Sequence, residues 1–325
     1  MEASTVNLLK DIYYSDEYIH LFIKENEELF DFQYKEGEHI FINKSIKRPI
    51  TKIKNQQVQG QYFDLESAYG YGGYYTNTDN EEFLTNAFKE YEKKCISENI
   101  IAEFIRFHPF NSFPIKHASF FDFNFNDRNT VIVDLTQDLL ASYKAKVRNT
   151  IKRASEKVTF QESTDIETFF KLYTNTMKKN NASDFYFFDL NFFNKLIELE
   201  GVKLYEVLHD NETIAMAFFM FGEQLGHYHL SANSDLSYQL NSNYVILNES
   251  FHLAQQNGKT QFILGGGTTS SEDDSLLRFK KKFSNKTLPF FISGKIFNAK
   301  IYKQYNELWM SQSQEDIKYF LKYRL

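Results

Sequence analysis

The feature that most constrains this chain is an order of elements that its residue patterns predict twice. Apolar runs over 29–34, 39–43 and 61–65 read as three strands, with turn chemistry at Glu36-Gly37-Glu38 between the first two. The loop Glu66-Ser-Ala-Tyr-Gly-Tyr-Gly-Gly73 follows. Asp79-Asn-Glu-Glu82 then supplies a cap and an acidic first turn for a helix to about Ser97, and 100–107 reads as a buried strand closed by His108-Pro109. After two helices over 166–180 and 189–199, the order returns. Strands over 202–208, 214–221 and 227–231 are joined by turns at His209-Asp-Asn-Glu212 and Gly222-Glu-Gln-Leu-Gly226. A polar loop, a helix over 243–257 closed by Gly258 and a strand over 262–264 complete the second round. The loops 69–73 and 231–241 take equivalent places. The repeat rests on element order, without residue identity. It predicts an α+β chain of two tandem domains, 1–155 and 156–325, each a mainly antiparallel mixed sheet flanked by helices. A strand over 130–135 with a helix capped by Thr136 lies between the rounds, and a strand over 290–297 with a helix from Lys300 ends the chain.

Composition narrows the class. With 34 Phe and 21 Tyr against 13 Gly and 4 Pro, the 325 residues favour packed sheets and helices over long linkers. A net charge of -6 argues against general coating of nucleic acid and confines any polyanion to a local patch. The single cysteine, Cys95, excludes an internal disulfide and any zinc-type cysteine spacing, and reads as a core or half-buried residue. No metal site is expected. The first ten residues lack a signal-peptide pattern and no apolar run approaches a membrane span, so the chain reads as soluble and cytoplasmic.

Four segments carry candidate chemistry. The strand ending at Leu264 opens into Gly265, Gly266 and Gly267, followed by Leu277-Arg-Phe-Lys-Lys-Lys-Phe-Ser284. Three glycines suit close approach of backbone to a ligand, and Arg278, Lys280, Lys281 and Lys282 suit one that carries or develops negative charge; a plain loop before a solvated basic helix is the competing reading. Over 134–154, Leu140, Val147, Ile151 and Ala154 fall on one helical face. Lys144, Arg148 and Lys152 flank that stripe on one side and Lys146, Arg153 and Lys157 on the other. A solvated face explains such charge, but Glu156 is the lone acid from Lys144 to Lys157, and Arg148 is the best candidate for phosphate contact. In Gly226-His-Tyr-His-Leu-Ser-Ala232 strict alternation puts His227 and His229 on one face and Tyr228 on the other. His227 suits a structural role and His229 proton transfer or substrate contact. Tyr69-Gly-Tyr-Gly-Gly73 lacks dinucleotide-loop spacing and reads either as a ligand-facing loop or as a tight turn with aromatic plugs.

Taken in order, Tyr69-Gly-Tyr-Gly-Gly73, Arg106-Phe-His-Pro109 with Asn111, Val133-Asp-Leu135, Arg148-Asn-Thr-Ile-Lys-Arg-Ala154, 173–177, His227-Tyr-His-Leu-Ser-Ala232, Leu264-Gly-Gly-Gly267 and Phe279-Lys-Lys-Lys-Phe283 resemble the FemAB-like branch of the GNAT acyltransferase superfamily. The resemblance covers most of the chain beyond residue 60 and implies two GNAT-like domains in tandem. It implies transfer of an acyl or aminoacyl group to an amine of a sugar-nucleotide or lipid-linked cell-envelope precursor. Lys280 matches the lysine of the Phe-Lys-x-x-Phe motif, where an ammonium stabilises the oxyanion formed as the amine attacks the donor carbonyl. Arg148 resembles the position that meets the acceptor's phosphate. Tyr71, Gly72, Gly73, Tyr228, His229 and Ser231 carry over as cleft-lining positions. No tightly bound cofactor is implied; acyl-CoA is the expected co-substrate, with aminoacyl-tRNA as the rival donor and a non-catalytic precursor-binding protein as a rival of another class. Two departures stand: Ser284 replaces the glycine that commonly ends the motif, and the Q/R-x-x-G-x-G/A loop is missing. Gln255-Gln-Asn-Gly258 lies at a helix's C-terminal end, the wrong pole for phosphate.

Overall fold

The computed structural model describes residues 6–313, 315 and 317–325. In chain order the strands are β1 (Glu28–Glu36), β2 (His39–Pro49), β3 (Lys52–Ile53), β4 (Gln56–Gln57), β5 (Phe63–Glu66), β6 (Tyr75–Thr76) and β7 (Ile100–Arg106). They continue with β8 (Phe123–Asp134), β9 (Thr159–Ser163), β10 (Val202–His209), β11 (Glu212–Phe221), β12 (Leu225–Asn233), β13 (Gln261–Gly265) and β14 (Thr287–Ile296). The helices are α1 (Asp16–His20), α2 (Glu81–Ser97), α3 (Phe113–Lys116), α4 (Leu139–Ser142), α5 (Ala145–Ser155) and α6 (Ile166–Lys179). After them come α7 (Leu190–Glu198), α8 (Asp235–Leu240), α9 (Ser242–Gln256), α10 (Ser275–Lys280) and α11 (Ala299–Ser311).

Two compact units form. The first takes Tyr13–Asp127 and Pro289–Leu325; the second takes the chain up to Ile12 and Arg128–Leu288. This interleaving departs from the single boundary expected at 155/156. The chain changes unit inside β8 and inside β14, where no break in composition marks the passage.

In the first unit β1, β2 and β5 run antiparallel, β5 pairs parallel with β7, and β7 pairs antiparallel with β14. The helix between the parallel strands, α2, starts where Asn80 Oδ1 accepts from the Phe83 amide at 3.0 Å and Glu81 and Glu82 meet the positive helix end. Phe83, Leu84, Ala87, Phe88, Tyr91 and Cys95 recur at helical spacing and are buried. Every residue of β7 but Arg106 is buried, as its mainly apolar run, interrupted only by Glu103, predicts. One face packs on the α2 core and the other on Tyr305, Trp309 and Tyr323. Two carboxylates are enclosed. Glu103 accepts from the Tyr74 and Tyr91 hydroxyls, both at 2.6 Å, from Asn43 Nδ2 at 2.8 Å and from Ser45 Oγ at 3.0 Å. Asp64 accepts from Arg48 Nε at 2.9 Å and from Arg324 Nε at 2.7 Å.

The second unit repeats the pattern. Strands β9, β10, β11 and β12 run antiparallel, β12 pairs parallel with β13, and β13 pairs antiparallel with β8. The β10–β11 hairpin turns through Asp210 and Asn211, both left-handed, which is the chemistry of a type I′ turn. Val147 and Ile151 of α5, Phe251 of α9, Leu277 of α10 and Phe283 pack with Phe219 and Phe262 into one core. On the other side of β11, Phe218 meets Phe169 of α6 and Phe193 of α7, with ring centroids 4.7 and 5.9 Å apart.

Three expectations need correction. The polar loop 231–241 contains a short helix, α8. Thr136 caps nothing: its amide and hydroxyl bind Asp134 Oδ1 at 3.0 and 2.6 Å, and Asp138 caps α4 instead. The helix expected through 154 breaks at Tyr143 and Lys144, which are extended, leaving Leu140 45% exposed on α4 while Val147, Ile151 and Ala154 are buried on α5. Among the described residues no helix is long and apolar enough to cross a membrane.

Candidate active site

Strand β13 slips out of register with β8 just before Gly265, whose φ of +79° turns the backbone out of the sheet. The two glycines that follow are required by the protein's own packing. A Cβ on Gly266 would meet Arg128 Cδ at 2.8 Å and the Asn129 carbonyl at 3.0 Å, and one on Gly267 would meet Asp274 Oδ1 at 2.5 Å. The close approach expected for a ligand is therefore taken by Arg128 and Asp274. Asp274 closes the turn. Its Oδ1 accepts from the Leu276 and Leu277 amides at 2.9 and 3.0 Å, and its Oδ2 from Thr268 Oγ1 at 2.7 Å and the Thr269 amide at 3.1 Å. Burial works against its charge, but these donors outweigh it and hold the carboxyl well below the usual range.

Lys280 ends α10 with only 7% of its surface exposed, and its Nζ donates to the Gly266 carbonyl at 2.7 Å. Burial pushes its ammonium down to about 7; the Asp274 carboxylate opposes this and the Arg128 guanidinium adds to it. Arg128 reaches the same turn, donating from Nη1 to the carbonyls of Gly267 at 2.9 Å and Thr268 at 3.3 Å. Lys280, Gly265, Gly266 and Gly267 are thus brought together. Arg128 was missed: it stands alone in the polar first half of β8, with no motif around it.

On β12 a bulge breaks the expected alternation. Tyr228 pairs with Phe219 and Leu230 with Phe218, so His229 is the extra residue. The shift puts Tyr228 and Ser231 on one face, where Ser231 pairs with Ala217 and the Tyr228 ring lies 5.5 Å from Phe219. Burial pushes the Tyr228 phenol up to about 12 against a Ser231 hydrogen bond. Burial, and next the His227 ring, push His229 down to about 3, so its imidazole is neutral but only weakly basic at neutral pH, which suits a hydrogen-bonding wall better than a general base. His227 is structural in the expected sense: Nε2 meets Asp11 Oδ2 at 2.6 Å, with both side chains buried.

Arg148 does not project as a free phosphate ligand. Its guanidinium donates to the carbonyls of Tyr143 and, at 3.3 Å, Leu140, closing the break between α4 and α5. Lys144, at the start of α5, instead shares a hollow of about 220 Å³ with Lys281, Lys282 and Lys286.

Tyr71, Gly72 and Gly73 lie in the first unit. Gly73 has φ +96°, and a Cβ there would strike the Phe107 ring at 2.4 Å. The Gly72 carbonyl accepts from the Tyr14 hydroxyl at 2.7 Å and from the His108 amide at 3.0 Å. Tyr71 sits edge-on to Tyr13, His108 and Phe290, with centroids 5.0, 5.4 and 5.6 Å away. Within this unit the loop is the tight turn with aromatic plugs, one of its two sequence readings.

Both units carry an antiparallel run, a helix-linked parallel pair and a final antiparallel strand. Comparison with solved structures returns this arrangement in FemX, with a TM-score of 0.71 and 14% identity over 93% of this chain and 95% of that one. The chain has the FemX fold. The FemX-like architecture also matches the C-terminal domain of a putative lysylphosphatidylglycerol synthetase from Agrobacterium fabrum, with a TM-score of 0.53 and 13% identity over 86% of each chain. L-PGS from Bacillus licheniformis aligns with a TM-score of 0.54 and 13% identity over 82% of this chain and 84% of that one. No protein-family description matches this sequence, and no curated protein sequence matches it. The expected α+β fold of two units, each a mainly antiparallel mixed sheet flanked by helices, is the fold present.

Proposed function

We propose that the protein is an acyltransferase that moves an acyl or aminoacyl group from an activated donor to an amine, with Lys280 at the reacting carbonyl. The observation that carries this is a buried lysine, within the Phe279-Lys-Lys-Lys-Phe283 motif, fixed on a glycine carbonyl with its ammonium lowered to about 7. As the amine attacks, a C–N bond forms and negative charge gathers on the carbonyl oxygen, where a hydrogen bond from a desolvated ammonium strengthens with that charge; the intermediate then breaks its bond to the donor's sulfur or ribose oxygen, and the expelled group takes up the proton the amine loses. The Arg128 guanidinium, on the adjoining carbonyls, adds positive field at the same turn. The acceptor of this reading is an amino group on a sugar-nucleotide or lipid-linked cell-envelope precursor, met in the cytoplasm.

The donor is acyl-CoA in the first reading. Aminoacyl-tRNA is the second, favoured by two observations: the usual GNAT phosphate loop is missing, and the fold is shared with FemX and with proteins named for lysylphosphatidylglycerol synthesis. Incubation with labelled acetyl-CoA or with charged tRNA, each with an amino-sugar nucleotide, tests both. Transfer from either identifies the donor, and transfer from neither overturns the enzyme reading. Lys280→Ala separates an enzyme, which loses turnover, from a precursor-binding protein, which keeps its affinity and has no turnover to lose.

A further inference from the structure

The hollow beside the motif lies wholly in the second unit and is walled by Lys144, Lys281, Lys282 and Lys286, with Asp134 and Ser142. Four lysines and one carboxylate line it. That carboxylate is engaged: Asp134 accepts from the Thr136 amide and hydroxyl and lies 4.0 Å from Lys286 Nζ. Lys281 is paired with Glu272 and Lys286 is balanced by Asp134, which leaves Lys144 and Lys282 as excess charge. Lys282 Nζ donates to a neutral oxygen, the Tyr244 hydroxyl at 2.7 Å, and lies 5.3 and 5.6 Å from the Tyr244 and Phe279 ring centroids, while Lys286 Nζ reaches Gln261 Oε1 at 2.9 Å.

We propose that this hollow is a phosphate subsite that receives the nucleotide part of the donor. At about 220 Å³ it is smaller than the roughly 300–1,000 Å³ of pockets that enclose a whole drug-sized ligand, so it suits one phosphate group of a larger carrier. Lysines are compact point charges on flexible stems, which tolerate varied phosphate orientations without the fixed fork of arginine. Lys281 and Lys282 directly follow Lys280 in the chain. The side chain of Lys280 turns inward to Gly266 while the next two line the hollow, so a carrier held here has its acyl end beside the motif. The inference rests on the donor reading above and names its chemistry: the phosphate esters at an adenosine terminus, which coenzyme A and the acceptor end of tRNA share.

Two arms distinguish the sources. Coenzyme A is titrated into the full chain by calorimetry, and a short RNA hairpin ending in CCA is titrated by fluorescence anisotropy across a salt series. The wild type is expected to bind one of them, and Lys144→Glu/Lys282→Glu to bind it at least about tenfold more weakly. In the RNA arm each lost phosphate contact lowers the slope of log K against log salt by about 0.7–0.9. Lys171→Glu on α6 is the charge control and is expected to bind as the wild type does; a thermal melt shows that each variant folds. Unchanged binding by the double variant, or no binding of either probe by the wild type, overturns the subsite. Binding without transfer sinks the enzyme reading and leaves the subsite standing. Transfer with an unchanged donor KM in the double variant does the reverse.

Discussion

The Lys280 ammonium and the Gly266 carbonyl lie 2.7 Å apart, so one side chain both carries the charge of the candidate site and holds the glycine turn that follows β13. Removing it tests both roles. Lys280→Ala is expected to lower kcat by about 10²–10³-fold, the cost of one lost oxyanion donor, with donor KM changed far less. Steady-state kinetics on the donor identified above measure this, and full activity in the variant would refute the role.

The pH dependence follows from the depressed ammonium. If the charged form acts, kcat/KM falls as pH rises through about 7. Arg128→Gln removes a like charge and is expected to move that limb to higher pH. Carbon-13 shifts of labelled lysine follow the same titration without a substrate. For stability the sign is the reverse of a salt-bridged lysine: the folded protein binds this proton less tightly than the unfolded chain. The penalty is full below about 7 and fades towards the unfolded lysine value of about 10.4.

Gly73→Ala is expected to destabilise the first unit by about 2–3 kcal/mol, because a left-handed φ and the Phe107 ring both oppose a methyl group. Urea unfolding reads the loss as a lower midpoint at constant slope. A variant as stable as the wild type would show that the turn adapts.

Glu103→Ala leaves two tyrosine hydroxyls, an asparagine amide and a serine hydroxyl without their shared acceptor. A loss of about 3–5 kcal/mol is expected, and Glu103→Gln, which keeps one oxygen acceptor, is expected to lose less.

Arg324→Ala is expected to cost about 3 kcal/mol at neutral pH by removing one of the two guanidiniums on buried Asp64. Burial opposes that carboxylate's charge, while Arg48 and Arg324 hold its titration below the usual value. The stability it supplies is present above the unfolded value of about 4 and lost as pH falls through the folded one, so the difference between wild type and variant narrows in acid. Melts from pH 7 down to pH 3 measure it.

Much of the fold was legible because its signals are local. The cap and apolar spacing of 80–95, the Asp210-Asn211 turn and Gly258 each mark an element without reference to distant residues. Strand β9 escaped notice because Thr159-Phe-Gln-Glu-Ser163 has one apolar residue, and it forms only by pairing with β10. The site was legible at Lys280, which stands in a motif, and opaque at Arg128, which reaches Gly267 only through tertiary structure. Gly266 and Gly267 were found as glycines but for a different reason, since their neighbours come from β8 and from Asp274. The role of His229 turned on a bulge that alternation does not foretell.

The passage of the chain through β8 and β14 has a consequence for dissection. Strand β14 completes the sheet beside β7 although it is synthesised after the entire second round, and β8 completes the sheet beside β13 although it precedes that round. A cut near residue 156 strips each fragment of a border strand and exposes the backbone of β7 and of β13. Neither fragment made alone should be a competent folding unit, whereas the two co-expressed should recover one another.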